Sequence, residues 1–175
     1  MNSMKRLLFY ILLVLTAFFL QNNIFAASSL ISTVPNLLMI VVFSFGFIRG
    51  STEGMLIGFF CGLLNDLFFS NVIGFSSLLY SSLGYLIGLL GRLYYTEFVD
   101  LPLILCLISN VLYHVGTYII VFLFRGDRDF GAYITGIMLP ELLYTGLLTM
   151  LLYPLFRRLD NLVEKWEARK THSYV

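Results

Sequence analysis

Five ionisable residues lie within or beside long apolar stretches of the chain, and their side chains are the first candidates for chemistry. They are Arg49, Glu53, Asp66, His114 and Glu141. Arg49 and Glu53 are four positions apart, which places them on one helix face and predicts an ion pair. Asp66 lies near the end of an apolar segment, where the carbonyl dipoles of a helix C-terminus disfavour a carboxylate. We therefore expect Asp66 to reach lipid headgroups or a partner.

His114 and Glu141 are the two ionisable residues set deepest among apolar neighbours. His114 lies beside Tyr113 and one helical turn after Asn110. A neutral histidine that hydrogen-bonds a neighbouring helix is the simplest interpretation of this position. Glu141 follows Pro140, whose ring leaves a backbone carbonyl unpaired one turn earlier. Because a carboxylate in a bilayer is costly, a structural pairing and a functional role are both open for Glu141.

The pattern of these residues does not favour catalysis. One histidine within the apolar part of the chain, with no glutamate–histidine pair, cannot form a zinc site. The second histidine, His172, lies in the tail, which excludes a haem held between two helical histidines. The sequence Gly74-Phe75-Ser76-Ser77 is not a nucleophile elbow. We therefore predict that the protein is not an enzyme and uses no metal or other cofactor.

The composition identifies the class of protein that positions these residues. Of the 175 residues, 59% are hydrophobic and 12% are charged, against roughly 25% charged in soluble domains. No Lys, Arg, Asp or Glu occurs in residues 7–48, 67–91 or 101–124, and each stretch exceeds the ~20 residues that cross a bilayer. The chain is therefore a polytopic membrane protein, which excludes a soluble enzyme, a nucleic-acid binder and a disordered linker. Cys61 and Cys106 lie inside apolar runs, where we expect small buried hydrophobic side chains.

Six apolar segments are predicted to span the membrane: residues 7–24, 36–48, 54–69, 72–91, 101–124 and 132–156. The second and third are short, and they either cross the bilayer or form a shallow re-entrant hairpin. We predict an all-α helical bundle in residues 1–156 and a short amphipathic cytoplasmic tail in residues 157–175. The tail either lies at the interface, with Trp166 at headgroup level, or simply ends the last helix with favourable cations.

The basic residues predict the orientation of the bundle. With six spans, one side of the membrane collects only Arg125 and Arg128, and the other side collects nine basic residues. Positive residues stay on the cytoplasmic side, so we predict a multi-pass protein of the inner (plasma) membrane with both termini cytoplasmic. The nine residues are Lys5, Arg6, Arg49, Arg92, Arg157, Arg158, Lys165, Arg169 and Lys170.

Glycines recur at every fourth position through the second and third segments. Gly54, Gly58 and Gly62 mark the third segment, and Gly84 and Gly88 mark the fourth in the same way. Residues four apart lie on one helix face, and a glycine face lets another backbone approach closely in lipid. Two interpretations stay open, namely helix packing within the chain and a groove for the helix of a partner.

The order of these motifs resembles the bacterial rod shape-determining protein MreD family. The resemblance covers residues 35–91 and consists of an Arg-Gly turn, an acid-Gly pair, a glycine-spaced helix ending in Leu-x-Asp, a short Ser/Gly break and a Gly-Tyr-Leu helix. In this sequence these are Arg49-Gly50, Glu53-Gly54, residues 54–66, residues 70–74 and Gly84-Tyr85-Leu86.

This resemblance implies a non-catalytic scaffold in the machinery that elongates the cell wall of rod-shaped bacteria. It implies a bitopic membrane partner such as MreC and, indirectly, MreB, RodA and a penicillin-binding transpeptidase. It also implies an architecture similar to the substrate-binding subunits of energy-coupling-factor transporters. The alternative function is therefore a vitamin-type small-molecule binding subunit, for which Asp127, Arg128, Asp129, Asp66 and Glu141 are the available polar groups.

Overall fold

The computed structural model describes residues 3–25, 33–69, 73–93, 100–125 and 130–171, and these ranges are almost entirely helical, with no strand. Helix α1 covers Ser3–Phe19 and continues as a π-helix over Leu20–Phe25. The next helices are α2 (Leu37–Arg49), α3 (Ser51–Phe69), α4 (Phe75–Leu93) and α5 (Asp100–Arg125). A short α6 (Phe130–Tyr133) leads through π-helical Ile134–Met138 into α7 (Leu139–Thr171).

The helices confirm the predicted membrane bundle. Within the described residues, three stretches are long and apolar enough to cross a bilayer, namely Ser51–Phe69, Leu103–Ile120 and Phe130–Asn161. Three shorter apolar helices, Leu8–Asn23, Leu37–Arg49 and Phe75–Gly91, correspond to the other three predicted segments. Large apolar side chains are exposed along the outside of the bundle, as a lipid-facing surface requires.

The short helix α2 lies at the centre of the bundle. Every residue from Leu37 to Gly46 is buried, which is the pattern of a helix that is apolar all round. α2 contacts α1, α3, α4, α5 and α7. Aromatic rings connect it to two of these neighbours, because Phe45 lies 5.2 Å from Tyr10 and 5.8 Å from Phe156 between ring centroids. Its shortness is therefore compatible with its position, since protein rather than lipid surrounds it.

A single glycine separates α2 from α3. Gly50 has φ 104°, a conformation that side chains other than glycine's disfavour. Its N–H donates to the Gly46 carbonyl at 2.9 Å, and its carbonyl accepts from the Gly54 N–H at 3.0 Å. The sequence predicted a longer interruption over residues 49–53, but α3 already begins at Ser51. The polar residues of this segment thus belong to helix ends rather than to a loop.

Several predicted segment ends and connections differ from the structure or lie outside the described residues. The polar residues Gln21, Asn22 and Asn23, at the end of the first predicted segment, lie in the π-helix Leu20–Phe25. The Ser70-Asn71 break, the connection over residues 94–99 and the charged loop over residues 126–129 lie outside the described residues. α7 runs past residue 157 to Thr171 without interruption, and the division into a spanning bundle and a cytoplasmic tail stays a prediction.

Candidate functional site

The glycine faces meet inside the chain, at the contact between α3 and α4. A Cβ atom added at Gly54 would lie 2.5 Å from the carbonyl oxygen of Gly84. Added at Gly58 or Gly62, it would overlap the backbone of Tyr80 or Ser77, and at Gly88 it would overlap the backbone of Ser51. Real side chains at these positions would push the two helices apart. The two faces are therefore occupied by each other, which supports the first of the two interpretations from the sequence.

Asp66 closes the far end of the same contact. Its side chain is 1% exposed, and it accepts hydrogen bonds from the backbone N–H groups of Gly74 (2.9 Å), Ser76 (3.0 Å) and Ser77 (3.0 Å). The Ser77 hydroxyl donates a fourth bond at 3.0 Å. Gly74 precedes the first residue of α4 and has no side chain to cap it, so a carboxylate from α3 takes over this role.

This arrangement corrects the prediction that Asp66 reaches lipid headgroups or a partner. The α3 C-terminus alone disfavours a carboxylate, but the N-terminus of α4 lies directly against it. The unpaired N–H groups and the positive end of the α4 dipole stabilise the charge. Next to it, Asn65 donates to the Ser76 hydroxyl at 3.2 Å and to the Tyr113 hydroxyl at 3.4 Å, which extends the polar contact to α5.

Arg49 and Glu53 contact partners that their spacing did not predict. Arg49 Nε donates to Asp160 Oδ1 at 2.7 Å, and both side chains are largely buried at 12% and 4% exposure. Glu53 Oε2 accepts from the Tyr10 hydroxyl at 2.9 Å. The two residues therefore connect the α2–α3 turn to α7 and to α1 respectively. One feature of the sequence could have indicated that Asp160 is buried. Its carboxylate lies on the same helix face as the apolar side chains of Tyr153 and Phe156.

A second polar cluster holds the N-terminal end of α2. Asn36 caps the helix by accepting from the Met39 N–H at 3.0 Å, and the same oxygen accepts from the Tyr80 hydroxyl at 2.9 Å. The Asn36 N–H donates to the Thr145 hydroxyl at 3.1 Å. One asparagine thus joins α2, α4 and α7 at a depth where unpaired polar groups are costly.

His114 and Glu141 lie against each other between α5 and α7. His114 is 3% exposed, and its Nε2 lies 3.2 Å from Glu141 Oε1. The direction of this contact falls outside hydrogen-bond geometry, so it brings the two groups to ion-pair distance without an aligned bond. The other ring nitrogen, Nδ1, lies 3.0 Å from the Tyr133 hydroxyl. The sequence predicted a histidine bonded to a neighbouring helix, but it did not identify either partner.

The surroundings of this pair contain two further unusual features. Tyr133 directly precedes the π-helical segment Ile134–Met138, and such segments inside helices frequently accompany functional sites. Asn110, one turn before His114 on α5, is fully buried, and neither its amide nitrogen nor its amide oxygen has a hydrogen-bond partner. A buried, unpaired amide in this position requires an explanation beyond simple packing.

The described residues contain no group of three or more His, Cys, Asp and Glu side chains that could hold a metal ion. Two apolar grooves flank α1 instead. One, of about 230 Å³, lies between α1 and α3 and is lined by residues such as Tyr10, Val14 and Phe60. The other, of about 310 Å³, lies between α1, α2 and α7 and includes Leu13 and Leu155. Both grooves are suited to hydrocarbon rather than to a polar ligand.

Comparison with known proteins gives one result. A family model described as rod shape-determining protein MreD matches residues 1–163. This match extends well beyond the segment 35–91 that carried the resemblance in the sequence, and it includes α1 to α6 and α7 as far as residue 163. No curated protein and no solved structure shows significant similarity to the chain.

Proposed function

We propose, since the chain belongs to the rod shape-determining protein MreD family, that it is a non-catalytic scaffold of the rod shape complex in the plasma membrane. The match over residues 1–163 is the observation that carries this proposal, because it includes the whole apolar bundle. The scaffold holds a bitopic membrane protein of the MreC type. Through that protein it connects indirectly to MreB, RodA and a penicillin-binding transpeptidase.

The packing of the bundle supports a scaffold with a fixed shape. Helices α2, α3 and α4 form a tightly packed unit, because the glycine faces bring two backbones into direct contact and α2 is buried against both. Hydrogen bonds fix the ends of these helices. The Asp66 carboxylate forms them at one end, and the backbone N–H and carbonyl of Gly50 form them at the other. Such a unit presents its outer surface at constant geometry, which is what a partner helix needs for a defined docking angle.

The partner helix docks on the outer apolar surface in this proposal. The faces of Gly58 and Gly88 are already filled by backbone, so they are not free for another protein. The two grooves beside α1 are the indentations in the outer surface where a single transmembrane helix replaces lipid with the largest gain in contact. Phe60 lines the groove beside α3, and Leu155 lines the groove beside α7.

The orientation follows from the basic residues. Both termini are cytoplasmic in this proposal, since nine of the eleven Lys and Arg residues fall on that side. The Arg49–Asp160 pair then lies near the cytoplasmic face and fixes α7 to the α2–α3 turn as it leaves the bilayer. This places the end of α7 within reach of cytoplasmic components of the complex.

The alternative, a vitamin-binding transporter subunit, is less well supported. Such a site needs several convergent polar groups around a cavity. Asp66 is already engaged by four hydrogen bonds from α4. The two described grooves beside α1 are lined almost entirely by apolar side chains.

Affinity purification in mild detergent tests the proposal. The tagged chain is isolated from a rod-shaped host, and the co-purifying proteins and small molecules are identified by mass spectrometry. We expect a bitopic membrane protein in a fixed ratio to the chain. A folded chain that carries a bound vitamin and no other membrane protein would contradict the scaffold and support the transporter subunit.

A further inference from the structure

We propose that His114 and Glu141 form a proton-binding site within the bundle, which takes up one proton shared between the two side chains and so holds α5 against α7. The site goes beyond the scaffold function and does not depend on it. It rests on the position of the pair, the charges around it and the polar groups that orient it.

The pair lies deep in the bilayer. His114 is eleven residues from the end of α5 at Arg125, and Glu141 is eleven residues from the start of α6 at Phe130. At 1.5 Å per α-helical residue, His114 is about 16 Å from the end of α5, which the six-span prediction puts at the membrane surface, and Glu141 lies at the same level because it contacts His114. This is about the middle of a hydrocarbon core that is roughly 30 Å thick. The side chains are 4% and 12% exposed, so protein rather than water surrounds most of both groups.

The charge of the pair depends on a single proton. A neutral imidazole beside a carboxylate has a net charge of −1. One additional proton gives either imidazolium with carboxylate or imidazole with carboxylic acid, and both arrangements are neutral overall. Because an uncompensated charge at this depth is strongly unfavourable, the neutral arrangement is the one that suits the closed bundle.

No described cation nearby offsets the carboxylate. Among the described residues, the ionisable groups near the pair include phenols, namely Tyr133 from α6, Tyr113 and Tyr118 from α5 and Tyr80 from α4. The rings of His114 and Tyr133 are 6.0 Å apart, and those of Tyr133 and Tyr118 are 5.3 Å apart. α2 contributes no ionisable side chain near this end, since its Arg49 lies at the opposite end of the helix. Among the described groups, the proton itself is therefore the available source of positive charge.

Two polar groups orient the pair for proton exchange. The Tyr133 hydroxyl, 3.0 Å from His114 Nδ1, holds the ring where Nε2 lies near Glu141, although the two groups are not aligned as a hydrogen bond. The Nε2–Oε1 distance of 3.2 Å is already short enough for proton transfer once the carboxyl group rotates into line. The unpaired amide of Asn110 lies one turn away and adds a donor and an acceptor to the same face of α5. His114 is therefore part of a cluster of polar side chains and is not an isolated histidine.

The proton controls the contact between two long helices. Besides this pair, the described polar contact between α5 and α7 is the one between Cys106 and Thr149, whose Sγ and Oγ1 atoms are 3.4 Å apart. When the proton leaves, one negative charge remains between α5 and α7, and the two helices are expected to separate at this level. The bundle is therefore more stable when the proton is bound, and it loses stability as pH rises.

Thermal unfolding at two pH values tests the site. The full chain is reconstituted in lipid nanodiscs and melted at mildly acidic and at mildly alkaline pH. We expect the Tm of the wild type to fall by several degrees at alkaline pH. Glu141→Gln is isosteric with the protonated side chain and has no proton to release, so its Tm should stay at the acidic wild-type value at both pH values. Equal losses of Tm in wild type and Glu141→Gln would overturn the proposal.

Infrared spectroscopy of the wild type measures the protonation of the pair directly and does not require Glu141→Gln to fold. Spectra of the wild type with isotope-labelled histidine are compared between the same two pH values. We expect either an imidazolium band, which is absent in His114→Gln, or a protonated carboxyl band, and in the wild type that band should disappear at alkaline pH. A neutral imidazole and an ionised carboxylate at both pH values would show that the pair binds no exchangeable proton.

Discussion

The capping of α4 by Asp66 makes the sharpest prediction about folding. In Asp66→Ala the backbone N–H groups of Gly74, Ser76 and Ser77 lose their acceptor, together with the Ser77 hydroxyl. The bonds from the Ser76 and Ser77 N–H groups are buried, and water cannot easily replace the carboxylate there. The substitution thus acts on the N-terminus of α4 and on its contact with α3.

The magnitude follows from the number of buried donors. Each buried N–H that is left unpaired costs about 1–3 kcal/mol, so the two together cost about 2–6 kcal/mol. For a chain of this size each kcal/mol lowers Tm by about 2–4 °C, which gives a fall of roughly 4–24 °C. Ser77→Ala removes only the hydroxyl donor and should cost about 0.5–1.5 kcal/mol.

Thermal unfolding of the purified variants in detergent measures this difference. Leu67→Ala is the matched control, because Leu67 is adjacent to Asp66 but 60% exposed on the outer surface of α3. We expect Tm to decrease in the order Leu67→Ala, Ser77→Ala, Asp66→Ala. If Asp66→Ala melts within a degree or two of the control, the carboxylate does not cap α4.

Three further predictions concern the rest of the bundle. Gly58→Ala should lower the free energy of unfolding by about 1–3 kcal/mol, because the added Cβ meets backbone. Gly131→Ala, whose Cβ would have nothing within 4 Å, should melt like wild type. Equal Tm values for the two variants would show that α3 and α4 are not in close backbone contact. Removing either Arg49 or Asp160 should cost about 3–5 kcal/mol, and removing both should cost much less than the sum; additive losses in a double-mutant cycle would mean that the two charges are not coupled. A reporter at the C-terminus should be cytoplasmic and one inserted in residues 126–129 external; the opposite result at either position would refute the six-span orientation.

The helices and the glycine contact could be predicted because they depend on local pattern. Apolar length fixed the segments to within a few residues, and the spacing of Gly54, Gly58 and Gly62 indicated a close backbone approach. The sequence alone could not decide whether another helix of the chain or a partner's helix fills this face. That choice depends on the tertiary fold, in which α4 packs against α3.

The partners of the charged residues could not be predicted because they depend on the tertiary fold. The spacing of Arg49 and Glu53 indicates only a local pair, and it gives no sign that Arg49 also bonds to Asp160, 111 positions away. Asp66 was expected at a helix C-terminus that repels it, but the dipole of a second helix reverses that argument. Nothing in the sequence indicated that Tyr133 contacts His114, because this contact requires the α6–α7 segment to pack against α5.

Site-specific photo-cross-linking in growing rod-shaped cells shows whether a partner helix occupies the grooves beside α1. A photoreactive residue is placed at Phe60 or at Leu155, one in each groove beside α1, and at Ile87, which is 2% exposed inside the bundle, as the control. The scaffold account predicts an adduct with a bitopic membrane protein from at least one groove position and none from Ile87. Adducts with lipid alone from both grooves, in cells that keep their rod shape, would contradict it.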